Sequence, residues 1–151
     1  MIKKSTRLRP VEQLAEKKAV TATEKMVSAR NKHGSHELKL KELVSYRLEY
    51  LEQYQSRAKV GMQSGQLQQY QLFISKLDVA IEQQRIVIAQ AHAVLEQSQT
   101  HWKHKHSHKK AINKAVERFK KQEVQAAEIS EQAVSDERNT QVHNQKNKSR
   151  H

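Results

Sequence analysis

The side chains best suited to chemistry lie close together in His101-Trp-Lys-His104-Lys-His106-Ser-His108. On a helix His104 and His108 stand at i and i+4 with His101 in reach of the same face, a spacing that admits zinc or nickel. The stretch supplies no carboxylate or thiolate, and Lys103, Lys105, Lys109 and Lys110 repel a cation. It reads as a solvated polar face, and neither a metal nor a cofactor is assigned. Gly61 and Gly65 form neither a Walker A loop nor a dinucleotide fingerprint, because no strand precedes them and no Gly-Lys-Ser/Thr follows. With no Cys, the remaining nucleophiles are Ser and Thr, none in an elbow or beside a triad. Paired carboxylates need a concave pocket to shift their pKa, which two helices do not offer. The chain reads as a non-enzyme.

The elements that carry these residues are helical. Leu67, Tyr70, Ile74, Leu77, Ile81, Ile88, Ala91, Leu95 and Trp102 are spaced by threes and fours, with Gln84 and Ser98 filling the gaps in register. A seam held at 3.5 residues per turn over five heptads is the pattern of a coiled coil. One helix cannot bury its own seam, so a partner helix is required. With 5% aromatics, three Gly and one Pro in 151 residues, little is left for a globular core. The absence of Cys suits a reducing compartment. No apolar run is long enough for a signal peptide or a membrane span, the longest being the four residues Ile86 to Ala89.

The partner lies upstream. Residues 1–9 are cationic and are expected to be frayed or ordered only on a partner, and Pro10 marks a helix start. Helix one is expected over 11–58, with apolar positions Val11, Leu14, Ala15, Ala22, Met26, Ala29, Leu40, Leu43, Tyr46, Tyr50 and Tyr54 and a soft spot or bend at Gly34. A turn over 59–65, with Gly61 as the helix-ending residue and Ser64 as N-cap, leads to helix two over 66–134. So short a link makes the arms antiparallel, an all-α two-helix coiled-coil hairpin forming one domain over 1–135. Position i then lies level with roughly 125 minus i. Pro10 maps near position 115, so the second helix is expected to overhang from there, and residues 136–151 are expected to form a disordered tail.

Folding about the turn gathers Leu43, Tyr46, Tyr50, Leu51 and Tyr54 against Tyr70, Phe73, Ile74, Leu77, Ala80 and Ile81. Phe73 and Ala80 flank the seam. They either widen the two-stranded interface or offer a docking surface. The fold also concentrates charge. Residues 1–33 hold nine Lys/Arg against three Glu, and residues 101–123 hold eight against two, each a net +6. Residues 34–100 balance at seven and seven, and 124–151 at four and four, so the whole +12 sits in two segments that the hairpin brings together. Such an end suits nucleic acid, anionic lipid or an acidic protein pore. No RNP motif, recognition helix or aromatic ladder among the lysines accompanies it.

Taken together, Leu40-Lys-Glu-Leu43-Val-Ser-Tyr46-Arg-Leu-Glu-Tyr50, the Gly-containing turn, Tyr70-Gln-Leu-Phe73-Ile-Ser-Lys-Leu77-Asp-Val-Ala80-Ile81-Glu-Gln-Gln84 and the opening Leu8-Arg-Pro-Val-Glu-Gln-Leu14-Ala-Glu resemble the FliJ family, small coiled-coil components of the bacterial flagellar type III export apparatus. The resemblance spans residues 7–130. It implies a cytoplasmic hairpin similar to the central stalk of rotary ATPases, at the inner-membrane side of the flagellar base. The implied partners are the export ATPase FliI, the export gate protein FlhA, FliH and substrate-specific export chaperones, with membrane contact only peripheral through them and no nucleic acid. The gate-facing surface it implies is Leu43, Tyr46, Tyr50, Phe73, Leu77 and Ala80, with Lys39 and Gln84 at the margin. The ATPase-facing part it implies is the basic end: Arg7, Arg9, Lys17, Lys18, Lys109, Lys110, Lys114, Arg118, Lys120 and Lys121. The stalk of a virulence-type secretion system, or a basic coiled coil on nucleic acid or a membrane surface, fits the same residues.

Overall fold

In the computed structural model, which describes residues 2–150, the chain forms two long helices, α1 (Lys4–Val60) and α2 (Ser64–Lys148), packed against each other with no strand among the described residues. The fold class expected from the heptads is the one observed. Only Gly61 to Gln63 lie outside a helix at the turn. Gly61 adopts φ 107° and its N–H donates to the Arg57 carbonyl at 3.1 Å, the left-handed C-terminal cap that a side chain would strain. The cap of α2 falls on Gln63 rather than on Ser64. The Leu67 N–H already bonds to the Gln63 carbonyl at 3.1 Å, so Ser64 is the first helical residue.

Both helices outrun their expected limits. Pro10 lies inside α1, and the 4–9 segment expected to fray is helical. Its anchors come from α2. Glu123 accepts the Ser5 N–H at 3.1 Å and the Ser5 hydroxyl at 2.6 Å, and the Lys4 ammonium sits 5.4 Å from the centre of the Phe119 ring. A free N–H of the first turn is thus capped by a carboxylate from the other helix, where the helix dipole favours negative charge. The overhang therefore starts after Glu123, not near 115. Residues 136–148, expected to be disordered, continue α2. No Gly or Pro follows Gly65, Thr140 back-bonds to the Asp136 carbonyl at 2.9 Å, and Lys146 and Lys148 complement the dipole in the last turn. Residue 151, the end of the expected tail, lies outside the described residues.

The chain divides into two compact units, one made of the chain before Val20 and after His104, the other of Val20–His104. In the first, Ala15, Ala19 and Val116 are buried and Lys109 pairs with Glu16 at 3.9 Å. In the second, Ala22, Ala29, Leu77, Ile81 and Gln84 are buried. Every seam position read in α2 from Leu67 to Trp102 is buried or half-buried. The α1 seam differs from its apolar list. Val11, Leu14 and Tyr46 are exposed, while Leu8, Glu12, Ala19, His33, His36 and Arg47 complete the three-four spacing of the covered positions. The weak period near Gly34 is a polar layer. The His33 and His92 rings lie 5.5 Å apart, and the Gln84 amide donates to the His36 carbonyl at 2.9 Å. Helix α1 runs through Gly34 unbroken.

Contacts in the second unit follow the expected level. Thr23 meets Trp102, His33 meets His92 and Arg47 meets Asp78, each pair of numbers summing to 125. Gly61→Ala is expected to cost about 1 kcal/mol at a positive φ, whereas Gly34→Ala, with open space around its Cβ, gains about as much helix propensity. Thermal unfolding followed by circular dichroism should move the two midpoints in opposite directions.

The Ser5 hydroxyl, then the Ser5 N–H and the nearby Lys3 and Lys120, hold the Glu123 carboxyl below the ordinary carboxylate range. A depressed folded-state pKa contributes stability above the unfolded value and loses it as pH falls through the folded one. The clip therefore stays closed through the ordinary carboxylate range and opens below it. Glu123→Gln should speed hydrogen exchange of the amides of residues 5–9 at neutral pH and abolish the acid-induced opening of that turn. Unaltered exchange there would refute the clip.

Candidate functional site

Five rings form a continuous ladder in the second unit because tyrosines at i, i+4 and i+8 on α1 face an i, i+3 pair on α2. Tyr50 packs on Phe73 at 4.4 Å between ring centres and on Tyr70 at 4.8 Å, Tyr54 lies 5.8 Å from Tyr70, and Tyr46 meets Phe73 edge-on at 6.0 Å and 86°. The Arg57 guanidinium caps the ladder 6.0 Å from Tyr70. Each such pair is worth about 0.5–1.5 kcal/mol beyond its buried area, so the ladder stiffens the turn-proximal helices as well as displaying rings.

Of the gate-facing residues that the resemblance implied, Lys39 is exposed, Tyr46 is 48% exposed, and Leu43, Tyr50, Phe73 and Ala80 are half-buried. Leu77 and Gln84 lie elsewhere. At 7% and 6% exposure they belong to the inter-helix seam, with Gln84 spent on His36, and they present almost nothing outward. Reading from matched positions missed Leu38. It is 57% exposed and lines a shallow surface groove with Lys41, Glu42, Ser45, Tyr46 and Glu49. The signal was available in the helical spacing 38, 42, 45, 49.

The ten basic residues all fall in the first unit. Arg7, Arg9, Lys17, Lys18, Lys110, Lys114, Arg118, Lys120 and Lys121 are exposed and form no ion pair among the described residues; Lys109 is half-buried against Glu16. This unit carries seventeen Lys/Arg against eight Asp/Glu, a net +9, and the other carries eleven against eight, a net +3. Unneutralised cations at that density attract an acidic surface from beyond contact range.

The histidine stretch is dispersed. His101 and His104 line an open surface with Glu96 and Thr100, His106 is half-buried, and among the described residues no group of three or more His, Asp or Glu could hold a metal ion. Trp102 donates its indole N–H to the Thr23 hydroxyl at 2.9 Å, so its polar edge is satisfied within the helix pair.

The family model described as Flagellar FliJ protein matches residues 3–148, through both helices. The chain belongs to the FliJ family. The resemblance read from the paired blocks is thereby shown, and FliJ membership makes this protein a component of the flagellar protein export apparatus. No curated protein matches the sequence. Among the described residues no helix is long and apolar enough to cross a membrane.

Proposed function

We propose that this FliJ-family protein is a stalk-like adaptor. Its basic unit associates with the ring of the export ATPase FliI. Its aromatic surface engages the export gate protein FlhA at the cytoplasmic face of the inner membrane. Binding both partners couples ATP hydrolysis to the entry of flagellar substrates, with FliH and substrate-specific export chaperones as further partners. The observation that supports this reading above others is the separation of function-bearing surfaces by type: nine exposed, unpaired cations in one unit, and a ring ladder with Tyr46 open to solvent in the other.

The gate surface centres on Lys39, Leu43, Tyr46, Tyr50, Phe73 and Ala80, with Leu38 added. Tyr46→Ala with Phe73→Ala should weaken FlhA binding on the order of ten- to a hundred-fold, the usual effect of truncating central aromatics, while helicity and FliI binding persist. Equal gate affinity and motility in the double variant would defeat the gate assignment. Salt-sensitive binding to duplex DNA or anionic vesicles without binding to FliI would overturn the ATPase assignment.

A further inference from the structure

Beyond Glu123 every described residue of α2 is exposed, yet the helix continues to Lys148. Its charges are sorted. Residues 124–137 hold Glu128, Glu131, Asp136 and Glu137 and no cation, and residues 138–150 hold Arg138, Lys146, Lys148 and Arg150 and no anion. A segment of −4 is thus followed by one of +4. Along it, Val124, Ala127, Glu131, Val134, Arg138 and Val142 step by threes and fours, placing them on one face of the helix. Val124, Val134 and Val142 are 57%, 52% and 48% exposed.

We propose that this overhang is a self-association surface whose occupant is the overhang of a second copy of the chain, running antiparallel. The charge order selects the occupant. Parallel pairing in register sets like charge on like, whereas antiparallel pairing sets Glu131, from the acidic half of one copy, against Arg138, from the basic half of the other. A two-fold axis between Val134 and Ser135 places Glu131 of each copy opposite Arg138 of the other, and Ala127 opposite Val142, so every contact occurs twice. The two Val134 side chains meet near the axis. An acidic or a basic partner of another kind would satisfy only one half of the segment. With small apolar groups and about 33 Å of overlap between the two overhangs at a rise of 1.5 Å per residue, the dimer is reversible. It does not depend on the partners proposed above.

The test is sedimentation of the full chain from micromolar to millimolar concentration, where the mass should rise from one chain toward two. Glu131→Arg and Arg138→Glu should each loosen the dimer by roughly ten-fold, because each change is felt at two contacts, and the two together should restore it. Since the chain has no native Cys, Val134→Cys should oxidise to a disulfide-linked dimer while Val124→Cys, far from its counterpart in antiparallel register, should not. A chain that stays monomeric throughout, single charge reversals without effect, a double reversal that fails to restore association, or cross-linking of Val124→Cys as readily as Val134→Cys would each overturn the proposal.

Discussion

Changing Lys110, Lys114, Lys120 and Lys121 together to Glu is expected to reduce association with the export ATPase by roughly a hundred-fold near physiological salt. Each reversal of an exposed cation facing an acidic surface costs about 0.7 kcal/mol, and four of them approach 3 kcal/mol. All four side chains are exposed and none is spent on an ion pair among the described residues, so the helix pair should survive. Lys109 is left unchanged because it holds Glu16 across the helices at 3.9 Å, and reversing it would confound association with packing. Each reversal removes two units of charge, taking the first unit from +9 to +1. Residual binding should therefore lose most of its dependence on salt. Calorimetric titrations at several salt concentrations check both effects. Unchanged affinity and unchanged salt slope would remove the electrostatic part of the proposed function.

Leu77→Asp and Ala80→Asp should separate packing from docking within one helical turn. Leu77 is 7% exposed in the seam, so an aspartate there places an unpaired charge between the helices and forfeits the buried side chain, costing about 4–5 kcal/mol. That is a large part of the 5–15 kcal/mol that holds a typical domain, and most of the cooperative unfolding transition should be lost. Ala80 is half-buried on the flank, where the carboxylate reaches water, and the change should cost under about 1 kcal/mol while still placing a charge in the proposed gate surface. Circular dichroism with gate-binding assays on both variants checks this. Equal stability of the two would place Leu77 outside the seam, and undiminished gate binding by Ala80→Asp would remove residue 80 from the docking surface.

The α2 seam was legible because apolar side chains repeat there at 3.5 residues per turn, and the same count identified Gln84 as a seam position. The α1 seam was legible only in part. Counting apolar residues drew in Val11, Leu14 and Tyr46, which face water, and passed over Glu12, His33, His36 and Arg47, which the three-four spacing carries to the interface. Long polar side chains can occupy a two-stranded seam by running their stems along it and placing their polar ends at its edge, as Arg47 does with Asp78. In a pair this thin, spacing is a better guide to burial than residue type.

Among the functional candidates, the turn-proximal aromatics and the clustering of charge followed from the doubling back of the chain, which Gly61 makes available. Matched positions alone placed Leu77 and Gln84 on the outside. Which side of α2 each residue presents depends on the angular position of α1, and a one-residue step turns a side chain by about 100°.

By itself the sequence determined the two helices, the place of the turn, the antiparallel level of one arm against the other and the imbalance of charge, because these depend on local periodicity, one glycine and the counting of residues. The tertiary structure alone decided where the helices begin and end and which rings remain open to solvent. Lys4 to Arg9 are helical because Glu123 and Phe119 of the other helix hold the first turn, a contact between residues more than a hundred positions apart. Tyr46 is open while Tyr50 is half-buried because both Phe73 and Tyr70 pack on the latter, and such packing is a property of two helices in contact rather than of either one.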